Sequence, residues 1–168
     1  MTDLVVKSNK LVQALQTLNL NEARLLQLAI VDARETGQGL STEEPLELNA
    51  VRYAKAFNVS ADAAYLALSE AEDSLFKRQF TITNEDGTLT KSRWIQDANY
   101  RKGEGRILVT LTRVVIEHVT KIDGFEQYFT SYHLKKTADF KSVYAVRLYE
   151  LLMQWKAVGR TPAYELDR

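Results

Sequence analysis

The chain of 168 residues contains no cysteine, two prolines and two histidines. Without thiols neither a disulfide framework nor a thiolate metal site can form, and a reducing compartment is compatible with the composition. His118 and His133 stand outside any metal-ligand spacing, with no paired-carboxylate motif beside them, so neither is assigned a catalytic or metal role and no cofactor is expected. A phosphate-binding glycine loop is also missing. Gly103-Glu104-Gly105 lacks the later glycine and the Lys-Ser/Thr pair, and reads as a turn between strands. Nor is there the paired acidic metal site that a polymerase or nuclease needs, so the chain reads as non-enzymatic. No apolar run approaches the roughly 18 residues of a membrane span, and Met1-Thr2-Asp3-Leu4 has no basic region leading into an apolar stretch. A cytoplasmic location with no membrane partner is therefore expected.

An excess of charge of one sign is lacking too, since 22 basic and 22 acidic side chains cancel. That balance argues against a dedicated nucleic-acid binder. The distribution is uneven, however. Residues 1–50 carry 4 basic and 7 acidic groups, residues 51–100 carry 6 and 7, and residues 101–168 carry 12 and 8. Any contact with a polyanion is expected to favour the carboxyl-terminal third.

What is present is a normal share of hydrophobic residues, 45%, in a chain long enough to bury a core. Ser8 or Asn9 can cap a short helix over residues 8–17. Asn21 is expected to cap a helix through about Glu35 that is apolar almost all round and hence buried. After a loop at residues 36–45, Pro45 to Leu48 alternate like a short strand, and Asn49 caps a helix over 50–58. A second helix over 60–76, capped by Ser60, completes a helix-turn-helix spacing around Asn58-Val59-Ser60.

Phe80 and Ile82 lie on one expected strand and residues 89–100 on the next, joined by a hairpin at Asp86-Gly87. A turn at residues 102–105 leads into a third strand, Ile107 to Leu111. Helix, turn, helix and antiparallel wing, with additional packing helices, is the α+β order of a winged helix. A short helix from Arg113 to Val119, a turn at Gly124 and a segment from Phe125 to Tyr132 follow. The last helix is expected over 141–158, with Val143, Val146, Tyr149, Leu152 and Met153 toward the core, stopped by Gly159 ahead of Pro162.

Leucines recur every seventh residue at Leu4, Leu11, Leu18 and Leu25. A zipper needs one continuous helix, and Asn19 and Asn21 interrupt it, so these leucines are expected to enter one globular core from two helices. The helix-turn-helix is notable for its charge. Base readout calls for Arg, Lys, Asn or Gln on the second helix, whereas residues 60–76 hold Asp62, Glu70, Glu72 and Asp73 and no basic residue. Phosphates would repel this helix, which suits packing or partner contact better. The candidate DNA-binding residues are elsewhere: Lys77 and Arg78 at the start of the hairpin, Lys91 and Arg93 on its second strand, and Lys135, Lys136, Lys141 and Ser142 approaching the last helix. Lys141-Ser142 falls at that helix's amino terminus, where free amides and the helix dipole favour a phosphate.

Three stretches resemble a known family. Val5-Val6-Lys7-Ser8-Asn9-Lys10-Leu11-Val12, with residues 20–26 after it, is similar to the opening of iteron-binding plasmid replication initiators of the Rep family. Arg93-Trp94-Ile95 through Gly105 resembles their central hairpin, and residues 141–152 their most recognisable signature. The resemblance implies a protein of two winged-helix domains, of which residues 1–168 supply the first and the second is absent from this chain. It further implies that the second domain reads iteron bases in double-stranded DNA, while the first contacts neighbouring phosphates at the plasmid origin and forms a homodimer. Host replication proteins are implied as further partners. No phosphate-contacting position is carried over from the family, so the basic residues above stand on charge and placement. Arg147, inside the signature and followed by Glu150, is open to a structural ion pair or to DNA. The alternative function is a winged-helix interaction module that dimerises without meaningful DNA contact.

Overall fold

A computed structural model describes residues 3–120 and 128–156. Its centre is helix α2 (Leu20–Thr36), in which every residue from Glu22 to Val31 is buried. This helix starts at Asn19, two residues before the expected cap. The Asn19 side chain accepts from the Glu22 N–H and the Glu22 carboxylate accepts from the Asn19 N–H, both at 2.8 Å, which satisfies two otherwise free amides. Asn21 instead accepts from the Tyr53 hydroxyl. Gly37 closes the helix at φ 76°, a conformation that costs glycine little.

Strand β3 (Leu46–Asn49) leads into α3 (Ala50–Phe57) and α4 (Ala61–Lys77), capped by Asn49 and Ser60 as the sequence indicates. Asn58, at φ 51°, makes the turn between the two helices. Strands β6 (Ile95–Arg101) and β7 (Arg106–Leu111) form the wing, and β7 returns beside β3 in an antiparallel sheet of order β3-β7-β6. The fold is a winged helix in the α+β class.

Between α4 and the wing lies a second hairpin, β4 (Gln79–Thr83) and β5 (Leu89–Arg93), turning at Asp86-Gly87. It pairs with β2 (Leu15–Gln16) in the order β2-β4-β5. The single strand expected over 89–100 is thus two strands in two sheets, broken at Trp94. The Trp94 ring is buried against Phe80, with centroids 4.4 Å apart, and its carbonyl accepts from Thr112 N–H, so the chain is pinned where it changes sheets. The first helix is also shorter than expected. α1 covers Asn9–Gln13 because the Leu15 and Gln16 backbone pairs with Thr81 and Phe80 instead of continuing it.

No local pattern in the sequence announces β1 (Leu4–Ser8), which pairs antiparallel with β8 (Phe129–His133). Helix α5 (Arg113–Val119) matches its expected span, and a 3-10 turn (Leu134–Lys136) follows β8. The last helix, α6 (Val143–Gln154), is capped by Ser142. Val146 is buried and Val143, Tyr149 and Met153 pack against the core, but Leu152 is 48% exposed. The reason is that α6 lies on α1 and β8 along one side, leaving Tyr144, Leu148 and Leu152 on the open side at steps of four. The turn at Gly124, the segment's start at Phe125, and the stop at Gly159 and Pro162 lie outside the described residues. The heptad leucines belong to a strand, a short helix, a loop and a helix, and Leu11, Leu18 and Leu25 meet in the core, so the zipper is excluded.

One histidine takes part in this framework. Ser8, the cap of α1, accepts from Leu11 N–H at 3.0 Å, and its Oγ lies 2.6 Å from His118 Nδ1 on α5. The Ser8 hydroxyl has one proton and two lone pairs, so beside Leu11 N–H it can donate to Nδ1 or accept from it, according to the tautomer of the ring. Burial is the main cause that holds the His118 pKa below 6.5, opposed by Glu117 and assisted by Lys10. The folded state therefore prefers the neutral ring, and the unfolded chain takes up its proton first as pH falls. Stability should be full above pH 6.5 and decline as the pH drops through and below it. Urea unfolding across that range checks this, and the slope should be flatter in His118→Asn. An unchanged slope in the variant would remove His118 as its source.

Candidate nucleic-acid interface

The structure separates the candidate basic residues into two groups with different fates. The first gathers at the carboxyl-terminal end of α4, where the helix dipole is negative. Lys77 pairs with Asp73 one turn back at 3.1 Å. Arg78 donates through Nε to both oxygens of buried Glu22, at 2.9 and 3.1 Å, and so clamps the end of α4 to the start of α2. The Arg93 guanidinium lies 4.9 Å from the centre of the Phe76 ring. Lys91 stands opposite Thr81 on the same exposed face of β5 as Arg93. Arg78 is engaged inside the fold, and Lys77 and Arg93 have local partners. Within this group Lys91 is in no ion pair among the described residues.

The second group is held out to solvent by buried polar side chains of α2. Arg24 donates from Nη2 to the Phe140 carbonyl at 2.9 Å and the Ala138 carbonyl at 3.5 Å, with its guanidinium 5.2 Å from the centre of the Phe57 ring. Gln27 donates to Thr137 Oγ1 and to the Tyr132 hydroxyl, each at 2.9 Å. These bonds fix the segment between β8 and α6 that carries Lys135, Lys136 and Lys141, all exposed and in no ion pair among the described residues. Ser142 is exposed as well, and its hydroxyl caps α6 by accepting from Tyr144 N–H at 3.1 Å. Four of the eight candidates thus share one tethered surface. Arg24 and Gln27, which position it, were missed by sequence reasoning. Their signal was present as two polar residues in the middle of an otherwise apolar helix.

Arg147 resolves toward structure. It donates from Nη2 to the Ala14 carbonyl at 3.0 Å, and burial lowers its pKa. Glu150 pairs with Lys7 at 2.7 Å and accepts from the Tyr132 hydroxyl. Burial chiefly, and then the Glu150 charge, push the Tyr132 pKa well up, so this hydroxyl keeps the proton it donates.

On the wing, sequence reasoning missed Arg101 and Lys102, exposed at the β6–β7 turn, because that turn was read only for its glycines. Their neighbour Arg106 is tied to Glu47 and, at 2.8 Å, to Glu104. Glu72 on α4 accepts from Tyr100 N–H at 2.7 Å and fastens the wing to the helix. Among the described residues no group of three or more His, Asp or Glu could hold a metal ion, and no helix is long and apolar enough to cross a membrane.

Comparison with known proteins follows the same lines. Residues 4–153 match the family model described as initiator replication protein, WH1. An uncharacterized 27.6 kDa protein of Escherichia coli is 22% identical over 165 residues, covering 92% of this chain and 68% of that protein. Among solved structures, the Pi initiator protein in complex with iteron DNA superposes with a TM-score of 0.76 at 19% identity. That match covers 91% of this chain but 64% of the Pi chain, so this chain spans less than two thirds of its length. The WH1 domain of MSBI1.176, a replication protein isolated from a multiple sclerosis patient, is 36% identical with a TM-score of 0.51, over 60% of this chain and 79% of that one.

Proposed function

Because the chain belongs to the initiator replication protein WH1 family, we propose that it serves a plasmid origin in the cytoplasm as the first of two winged-helix domains, contacting duplex DNA through phosphates and dimerising. The observation that carries this reading is a division of charge. α4, the helix that a winged helix would use to read bases, has no basic residue from Ala61 to Phe76, whereas Lys135, Lys136 and Lys141 stand exposed and in no ion pair among the described residues on the tethered segment before α6. Phosphate contacts supply affinity and position, and base contacts supply discrimination. A domain with the first and without the second should bind any duplex weakly, and salt should weaken that binding steeply. The Pi initiator, whose structure contains iteron DNA, supports duplex DNA as the partner. The reading involves no catalysis. The capped start of α6 adds amides and a favourable dipole beside Lys141. Lys91, Arg93, Lys77 and Arg78 form a secondary surface, weakened by their engagement at the end of α4.

The test is a salt titration of duplex binding. Replacing Lys135, Lys136 and Lys141 together by alanine should flatten the slope of log K against log salt by about 0.9 for each phosphate that these lysines neutralise. Alanine at Asp62 or Glu70 should leave binding as strong or make it slightly stronger. Equal binding by the triple variant at every salt concentration would move the phosphate surface to the hairpin or the wing. No binding by the parent chain would favour the pure interaction module.

Dimerisation has a candidate surface in β5, an edge strand whose outer residue Leu89 is exposed. Sedimentation equilibrium should show a dimer at micromolar concentration, weakened by Leu89→Lys. A strictly monomeric chain would remove dimerisation from the function.

A further inference from the structure

Between α2 and α6 lies a cavity of about 240 Å³ that neither DNA contact nor dimerisation uses. Thr17 and Tyr144 on its lining are exposed, whereas Lys7, Leu26, Gln27, Val146 and Glu150 are buried, so it reaches from the surface into the core. Its walls are mostly apolar, with Leu18, Ala23 and Leu26 on one side and Val143 and Val146 of α6 on the other. An apolar cavity of about 150 Å³ already holds a benzene ring. This one has room for a ring and a small polar group.

The charges on the lining do not balance. Lys7 and Arg147 are cationic and Glu150 alone is anionic, and Glu150 is already engaged by Lys7 and the Tyr132 hydroxyl. Arg147 donates from Nη2 to the Ala14 carbonyl, but its Nη1 is buried without a partner. Burial lowers the Arg147 pKa, and the Glu150 charge opposes that shift only in part. A second polar group is also unmet. The Tyr132 hydroxyl gives its proton to Glu150 and the Thr137 hydroxyl to the Leu134 carbonyl, so each accepts from Gln27 Nε2. That fixes the amide and leaves the buried Gln27 Oε1 without a partner. The lining thus holds one unmet donor and one unmet acceptor, each of which costs stability as it stands.

These features select the ligand. The excess of positive charge calls for an anion, and the apolar walls call for an apolar body in place of a hydrated inorganic ion. The volume limits that body to a single ring. We propose that this cavity binds a small aromatic carboxylate, its ring between Leu18, Leu26, Val143 and Val146 and its carboxylate against the Arg147 guanidinium. A hydroxyl on the ring would supply the donor that Gln27 Oε1 lacks. Lys135, Lys136 and Lys141 are outside the lining, so this site and DNA contact can fail independently.

The probe is 4-hydroxyphenylacetate, titrated into the isotope-labelled full chain. The resonances of Leu18, Leu26, Val143 and Val146 should shift first, with half-saturation at millimolar concentration or below, as befits a fragment of that size. Its uncharged amide, and acetate without the ring, should each bind at least about tenfold more weakly. Arg147→Gln should weaken the probe by a similar factor. Because Arg147 also holds the Ala14 carbonyl, a second variant fills the space: Val143 is half-buried at the first turn of α6, and Val143→Phe should abolish the shifts while leaving the urea midpoint unchanged or raised. No shifts at about 10 mM would overturn the proposal. So would equal binding of the amide, unchanged affinity in Val143→Phe, or shifts centred on Lys135, Lys136 and Lys141, which would reduce the effect to anion contact with surface lysines.

Discussion

An ion pair that water barely reaches holds the beginning and the end of this domain together. Lys7 on β1 and Glu150 on α6 meet at 2.7 Å with both side chains almost wholly buried. The Tyr132 hydroxyl on β8 donates to Glu150, and Gln27 on α2 donates to Tyr132 and to Thr137. Four elements far apart in sequence thus share one polar network under α6. Burying two charges is expensive, and the pair repays it only while both partners and their hydrogen bonds are present. Removing one partner from such a pair costs about 3–5 kcal/mol. The orientation of α6, and with it the segment carrying three exposed lysines, depends on that network remaining complete.

The same logic explains how a chain without net charge can present a local cluster of exposed lysines. Several of its cations are engaged inside the fold: Lys7 by Glu150, Arg78 by Glu22, Arg52 by Asp3 and Asp32. Arg24 and Arg147 serve backbone carbonyls. What reaches solvent is therefore sorted by position and not by the sum. Screening in physiological salt acts over about 8 Å, so a local cluster of lysines governs contact even where the total is zero.

Much of the framework was legible because it rests on local chemistry. Asn49 and Ser60 as caps, the Asp86-Gly87 turn, the burial of the largely apolar α2 and the order of helix, strand, helix, helix and hairpin all follow from neighbouring residues. The acidity of α4 could be read directly as well. The failures arise where distant residues decide. β1 and β8 are short and pair across more than a hundred residues, so neither carries its partner in its own pattern. Residues 89–100 look like one strand until buried Trp94 is seen to stop it, and Leu15-Gln16 leaves a helical pattern because β4 offers it a partner. Among the candidate site residues, Lys135, Lys136 and Lys141 are exposed on one segment, as their nearness in sequence suggests. Nearness could not reveal that Arg78 is spent on Glu22, since that carboxylate lies 56 positions away.

The acidic side chains near α4 divide in the same manner between structure and surface, which bears on why the helix is without the means to read DNA. Glu72 fastens the wing through Tyr100, Asp73 balances Lys77, and Glu22 receives Arg78 from the helix end. A basic residue at Glu72 or Asp73 would remove the first two, and the wing would lose its tie to α4. Asp62 and Glu70 do no such work among the described residues, yet they leave α4 with uncompensated negative charge on the side that also exposes Leu66. A helix so constrained on one side and so charged on the other cannot approach phosphates closely. The start of α6 is the opposite case, with Lys135, Lys136 and Lys141 exposed and in no ion pair among the described residues, and with a helix dipole of favourable sign for an anion.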